Sequence, residues 1–208
     1  MTPAATLAQG LQGLGLALPD DASRRLLAYV ELLSKWNRTY NLTAIREPER
    51  MVSYHLVDSL SVLPHLPEGC LADVGSGGGL PGIPIAIAQP GRKVILNDSN
   101  QKKGVFLKQA VIELALANVE VHVGRAQEWD PAERFDGVIS RAFAELADFL
   151  AACRHLVRKG GFFAAMKGVR PVEEIARVPA GFRCDRAVRL SMPLVDGDRH
   201  LVLCSGCA

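Results

Sequence analysis

The chain has 208 residues, 49% hydrophobic and 22% charged, which is enough for one domain with a full core and ordinary for a globular protein. Its net charge of +2 carries no whole-chain polyanion signal, so a nucleic-acid partner has to be argued from local patches. No apolar run approaches transmembrane length, and Met1-Thr2-Pro3-Ala4-Ala5 lacks the basic start of a signal peptide, so a cytoplasmic location without a membrane partner is expected.

Residues 1–66 read as a helical extension. Leu7, Leu11 and Leu14 mark one helix ended by Gly15. Asp20 or Asp21 can cap the next, which carries Leu26, Leu27, Val30, Leu33 and Trp36 and runs to about Tyr40. Pro48 suits a first turn, and Met51, Val52, His55, Leu56, Leu60 and Leu63 continue a 3.6-residue period. His55 and Asp58 share a face at this spacing and read as a hydrogen-bonded structural pair, since no further ligands stand nearby for a metal.

From residue 67 to 208 the pattern becomes strands alternating with helices, read as one compact core. The expected strands are Cys70–Val74, Lys93–Asp98, Val119–Val123, Gly137–Ser140 and Phe162–Met166. The expected helices are Pro81–Ala88, Gln101–Ala117, Leu146–Leu156 and Val172–Ala176, with Gly160-Gly161 ending the connection before the fifth strand. Two late strands, about Cys184–Leu190 and His200–Cys204, look like a hairpin through Asp196-Gly197-Asp198. The fold class is α/β: a doubly wound, mostly parallel sheet covered on both faces, with a C-terminal antiparallel hairpin. Cys70, Cys153, Cys184, Cys204 and Cys207 are an odd, scattered set and read as reduced thiols, including the Cys204-x-x-Cys207 spacing at the C-terminus; no metal site is expected.

The most informative stretch runs from Asp73 through Gly75-Ser76-Gly77-Gly78-Gly79-Leu80-Pro81-Gly82, with five glycines in eight positions. A strand, a glycine turn and a helix start let a ligand approach bare backbone. Gly77, Gly79 and Gly82 formally match a dinucleotide fingerprint, but that fingerprint should start directly after the strand, where Gly75 already stands. An acidic residue at the strand end would repel a pyrophosphate. It suits a cofactor with a cationic amino group, such as S-adenosylmethionine. A dinucleotide and a purely structural turn are the alternatives.

Ligands in doubly wound sheets bind at the carboxyl ends of the strands, which selects the other candidates. Asp98, nineteen positions after Gly79, ends strand two and suits ribose hydroxyls. Ala126 and Gln127 stand where an adenine ring would lie, with Arg125 where a carboxylate is common. Arg141 ends strand four in Ser140-Arg141-Ala142-Phe143, and Lys167 ends strand five. That turn carries no Asn/Asp-Pro-Pro-aromatic motif, no cysteine nucleophile and no evident base, which leaves alignment of donor and acceptor as the source of catalysis.

Taken together, Lys35-Trp36-Asn37, Tyr40 to Thr43, His55 to Ser59, Asp73 to Pro84, Phe135 to Ala144, Lys167-Gly168 and Gly197 to Leu201 resemble the bacterial small-subunit ribosomal RNA guanine-N7 methyltransferases, also called glucose-inhibited division protein B. The resemblance runs from about residue 10 to about 204. It implies a class I methyltransferase fold with an N-terminal helical extension, S-adenosyl-L-methionine as donor and S-adenosyl-L-homocysteine as product. It implies as acceptor a guanine in the decoding-region loop of 16S ribosomal RNA within the small subunit; a monomer is the expected state. Carried over, Gly75, Leu80, Ala126, Gln127 and Arg141 match the family's cofactor contacts, and the glycine turn and strand ends add Asp73, Gly77, Gly79 and Asp98 at the cofactor, with Arg141 positioning rather than transferring protons. Arg125, Lys167 and Arg199 are expected to face RNA, whereas Gly104 and Val105 replace residues that are often larger or basic in the family. A small-molecule methyltransferase, a non-catalytic assembly factor and a dinucleotide oxidoreductase are the competing functions. The basic strand ends argue against the first, and Asp73 against the last.

Overall fold

In a computed structural model of the chain, which describes residues 1–206, Thr2 caps helix α1 (Pro3–Leu14) by accepting from the Ala5 amide at 3.3 Å. Gly15, at φ 65°, closes the far end. Helix α2 (Ala22–Tyr40) ends at Asn41, a left-handed residue. Pro48 occupies the first turn of α3 (Pro48–Met51), as its sequence position suggests. The expected continuous 3.6-residue period does not follow. Val52–Val57 form a π-helical stretch before α4 (Asp58–Leu60). The wider turn shifts the residues beyond it around the axis, a feature that recurs at functional sites. It keeps Met51, Val52, Leu56 and Leu60 fully buried while setting Asp58 against two arginines that flank the ends of distant strands.

The core elements follow as β1 (Leu71–Val74), α5 (Gly82–Ala88), β2 (Val94–Asp98), α6 (Gln101–Glu113), β3 (Val119–Val123), β4 (Phe135–Ser140), α7 (Leu146–Cys153), β5 (Val157–Lys167), α8 (Val172–Ala176), β6 (Phe182–Arg189) and β7 (His200–Gly206). They make a seven-stranded sheet in the order β3-β2-β1-β4-β5-β7-β6. All pairs are parallel except those of β7, which runs antiparallel to both β5 and β6. This is the doubly wound sheet with a terminal antiparallel hairpin that the alternation implied. All four residues of β1 and all five of β2 are buried, as strands covered on both faces must be.

Several features differ from expectation. Helix α6 stops at Glu113 rather than near residue 117, because Ala115 turns left-handed at φ 49°. Strand β5 starts at Val157 and passes through Gly160-Gly161. Gly160, at φ 77°, lies where the register with β4 shifts, so the pair makes an irregularity within the strand and not its start. Cys184 and Cys204 are not separate thiols: they form a disulfide across the β6/β7 pair, which joins positions 20 apart in sequence. Cys70 and Cys153 are free, and Cys207 lies outside the described residues.

Two apolar clusters flank the sheet. One joins Leu7, Leu26 and Leu33 of the N-terminal helices to Leu71, Ile83 and Leu96, and the other joins Val74, Val138, Phe149 and Phe163. Trp36 of α2 stacks on Tyr40 at 5.1 Å and meets Phe106 of α6 at 5.6 Å. The N-terminal helices therefore share a core with one face of the sheet.

Candidate active site

The glycine turn after β1 is held from three sides. The backbone carbonyl of Asn97 accepts from the Gly75 and Ser76 amides, both at 2.9 Å. Asp98 Oδ2 accepts from the Gly77 amide at 2.9 Å. Tyr29, fully buried on α2, donates its hydroxyl to the Gly78 carbonyl at 2.6 Å. Desolvation raises the Tyr29 pKa far above its ordinary value, so the phenol stays a donor. Gly75, Gly77 and Gly79 all have φ in the left-handed region, at 73°, 59° and 87°. A Cβ on Gly75 would sit 2.7 Å from Ala142 Cβ.

Asp73 takes a structural position. It is fully buried, and its Oδ2 accepts from the Gly82 amide at 2.8 Å, which pins the start of α5 to the strand end. Oδ1 has no partner. Burial raises its pKa to about 7, a shift the Gly82 amide and the Arg141 charge only partly offset.

Below the turn opens a cleft of about 400 Å³ at the carboxyl ends of β1, β2 and β3. Of the expected cofactor contacts, Gly75, Asp98, Ala126 and Gln127 line it, together with Arg125; Asp73, Gly77, Gly79, Leu80 and Arg141 do not. Those other turn residues build the backbone that shapes the cleft. Lys103, Ala142 and Phe143 also line it, and Lys103 Nζ lies 3.7 Å from Asp98 Oδ2. Asp98 engages one backbone amide with each oxygen, Gly77 and Asn100. A carboxylate oxygen has a second lone pair, so both retain acceptor capacity for hydroxyls. Ala126 opens a short 3-10 turn that no side chain caps, and the first amides of such a turn have no partner within it. Those amides, the small walls at Gly75 and Ala142, and Asp98 fit an adenosine: base edge, close backbone approach and ribose in turn. Gly104, on α6, is small for packing: a Cβ there would run into Val123. Val105 beside it is 55% exposed.

Arg141 leaves the end of β4 in another direction. Its Nη1 donates to Asp58 Oδ2 at 3.0 Å and to the Tyr54 carbonyl at 3.4 Å. Arg199 Nε donates to the other oxygen of Asp58 at 3.2 Å. The expected His55–Asp58 hydrogen bond is absent: His55 Nε2 lies 2.7 Å from Thr43 Oγ1, and Asp58 belongs to the arginines. The π-helical stretch between them breaks the simple helical facing on which the pair was expected. Burial, reinforced by Arg141, pushes the His55 pKa down to about 4, so the imidazole is neutral near pH 7. Lys167 is not an open phosphate ligand. Its ammonium donates to Glu174 at 2.7 Å and to the Ala144 and Phe143 carbonyls at 2.6 and 3.3 Å, which uses its three protons. Arg125 is exposed and makes no ion pair or side-chain hydrogen bond among the described residues.

Tyr29 and Lys103 escaped the sequence reading, and Ala142 and Phe143 entered it only as part of the Arg141 turn, with no site role. Tyr29 lies on the same α2 face as Leu26 and Leu33, and that spacing was its only signal.

The residues from 22 to 202 match the family model described as "rRNA small subunit methyltransferase G", GidB. The chain belongs to this family. It is 52% identical to the ribosomal RNA small subunit methyltransferase G of Chromobacterium violaceum over 199 residues, covering 95% of each chain. It is likewise 52% identical to the protein of that name from Burkholderia thailandensis over 206 residues, covering 95% of this chain and 89% of that one. Among solved structures, the glycopeptide N-methyltransferase MtfA complexed with S-adenosyl-L-methionine superposes with a TM-score of 0.61 at 12% identity, over 74% of this chain and 88% of that one. The fold is thus that of the class I methyltransferases, and the family is the one the motifs resemble.

Proposed function

We propose that this protein transfers the methyl group of S-adenosyl-L-methionine to N7 of a guanine in the decoding-region loop of 16S ribosomal RNA. The small ribosomal subunit is the partner, and the protein acts in the cytoplasm as a monomer. Family membership over most of the chain supports the enzyme class, the donor and the RNA. The observation that carries the reading is the cleft itself: Gly75, Asp98, Ala126 and Gln127, distant in sequence, converge at the ends of β1, β2 and β3 with the chemistry an adenosine requires. No helix among the described residues is long and apolar enough to cross a membrane.

The donor supplies an electrophilic methyl on a sulfonium. Guanine N7 carries a lone pair and no proton near neutral pH, so its attack forms the N–C bond as the S–C bond breaks, without a base. The protein's task is to align the partners and keep the site ordered. Asp98 and the amides of Ala126 and Gln127 hold the adenosine. The Gly75–Leu80 turn shapes the space for the rest of the donor, with Asp73 fixing the turn from behind. Arg141 positions the acceptor side, and Arg125 and Arg199 face RNA. Lys167 instead braces the loop after β4.

The test uses small subunits from a strain lacking the gene, incubated with the purified protein and labelled donor, then digested to nucleosides. One 7-methylguanosine per subunit, mapped to the decoding-region loop, is the expected product. Label on a ring atom other than N7, or on a protein, would overturn the reading.

A further inference from the structure

The end of β4 separates two cavities. Ala142 and Phe143 line the cofactor cleft, while Arg141, just before them, lines a second cavity of about 410 Å³. Ile45, Met166 and Leu190 give this cavity apolar walls, Tyr54 gives it an aromatic one, and Asp58 gives it a carboxylate. Asp58 is 2% exposed, yet it borders the cavity with one guanidinium on each oxygen. The two arginine side chains are about 30% exposed, at 30% and 29%. Arg141 just after β4 and Arg199 just before β7, far apart in sequence, thus orient the single carboxylate of Asp58, which opens α4 directly after the π-helical stretch. His55, beside it and 6% exposed, keeps its Nδ1 without a partner.

From this geometry we infer that the second cavity receives the acceptor guanine, flipped out of the RNA, and that Asp58 is the residue that selects guanine by accepting from its N1–H and N2–H donors. The inference rests on the guanine-N7 reading above and deepens it. Enzymes that modify a base read its Watson–Crick edge by hydrogen bonds and stack it between aromatic and apolar side chains. The usual arginine fork on guanine takes O6 and N7 together. A methylated N7 must stay free, so recognition has to come from the opposite edge of the purine. There guanine offers two adjacent donors, which a carboxylate accepts side by side, whereas adenine offers an acceptor at N1 and is repelled. Each Asp58 oxygen takes one arginine hydrogen bond and has a lone pair left for a base donor. Arg141 and Arg199 hold the carboxylate in place, and Tyr54 supplies a face for stacking. Cavity and cleft share the β4 end, so a base gripped by its far edge in one has its N7 directed toward the methyl in the other.

The experiment compares transfer to target-loop RNA, assembled into small subunits, carrying guanosine or inosine at the target; inosine lacks the 2-amino group. The wild-type protein is expected to favour guanosine by about tenfold or more in kcat/KM, the effect of one hydrogen bond to a charged group. Asp58→Asn should lose activity on guanosine and bring the guanosine-to-inosine ratio close to one. Its affinity for S-adenosyl-L-homocysteine should stay at the wild-type value, which reports an intact fold. Equal use of guanosine and inosine by the wild type overturns the inference without needing any variant. So does an Asp58→Asn protein that is slower on both substrates with the ratio kept, because that is a purely structural role. Absence of 7-methylguanosine from every RNA would instead remove the functional reading, and this inference with it.

Discussion

Gly77 holds φ at 59° with nothing closer to its missing Cβ than the Gly75 carbonyl at 4.0 Å. The obstacle to substitution there is therefore backbone conformation and not crowding. Gly77→Val should lower stability by about 2 kcal/mol, the cost of a left-handed residue with a Cβ, and a branched one pays at least that. It should also weaken S-adenosylhomocysteine binding, because the Gly77 amide is tied to Asp98 at the cleft. Denaturant titration and calorimetry measure the two effects, and an unchanged affinity in a folded variant would detach this turn from the cofactor. His55 and Asp73 set opposite pH dependences. The His55 pKa is depressed to about 4, so its relative contribution is present above about pH 6.5 and is lost as pH falls toward 4. The Asp73 pKa is raised to about 7, so stability is lost as pH rises from about 3.8 to 7. The two nearly cancel between pH 4 and 6.5 in the native protein. Each single variant exposes the other group: Asp73→Asn should gain about 3 kcal/mol on going from pH 4 to 6.5, while His55→Gln should lose stability over the same range. Unfolding curves at four pH values decide it, and parallel profiles for both variants would refute the assignment.

At the scale of elements, helix α2 supports the proposed cofactor cleft though no residue of it lines that cleft. Tyr29 Oη is the partner of the Gly78 carbonyl among the described residues, and Leu33 packs 3.1 Å from the position a Gly78 Cβ would take. Tyr29→Phe leaves that carbonyl buried without its donor, at a cost of about 1–3 kcal/mol. The expected result is a lower unfolding free energy with a several-fold weaker affinity for S-adenosylhomocysteine. If stability falls and affinity does not, α2 supports the core alone. The π-helical stretch plays the same kind of part at the proposed acceptor cavity, where it places Asp58 against Arg141 and Arg199 at the ends of β4 and β7.

For the molecule as a whole, the surface that meets RNA should be the open arginines and not the basic strand end at Lys167. Arg125 is exposed and unpaired among the described residues, so Arg125→Gln should reduce the salt slope of subunit binding by about one phosphate contact. The Lys167 side chain is 10% exposed and its protons are used within the protein. Lys167→Gln should leave the salt slope as it is and lower stability, because Glu174 loses its charged partner and keeps only the Leu146 amide. Filter binding across a salt series separates the two, and a reduced slope for Lys167→Gln would return it to the RNA surface.

The alternation of apolar strands with helices, the glycine turn and the acidic residue ending β2 were legible in the chain because each is local. Burial on both faces makes β1 and β2 apolar except near their carboxyl ends, at Asp73 and Asn97-Asp98, and a turn with φ above zero at Gly75, Gly77 and Gly79 strongly favours glycine. The same locality placed Gly75, Asp98, Ala126 and Gln127 on the cleft, since strand ends in this topology converge. What only tertiary structure decided is where long charged side chains go. Arg141, Lys167 and Arg199 each read as ligand-facing from a strand end, yet their partners are Asp58, Glu174 and backbone carbonyls supplied by other elements. A helical period also conceals a π-helical stretch, because the apolar positions stay buried while the residues between them turn. The Cys184–Cys204 bond belongs to the same class, since only the pairing of β6 with β7 brings the two sulfurs together. Local patterns report how backbone and apolar surface are satisfied within a few residues, whereas a charge is satisfied by whichever element the fold carries to it.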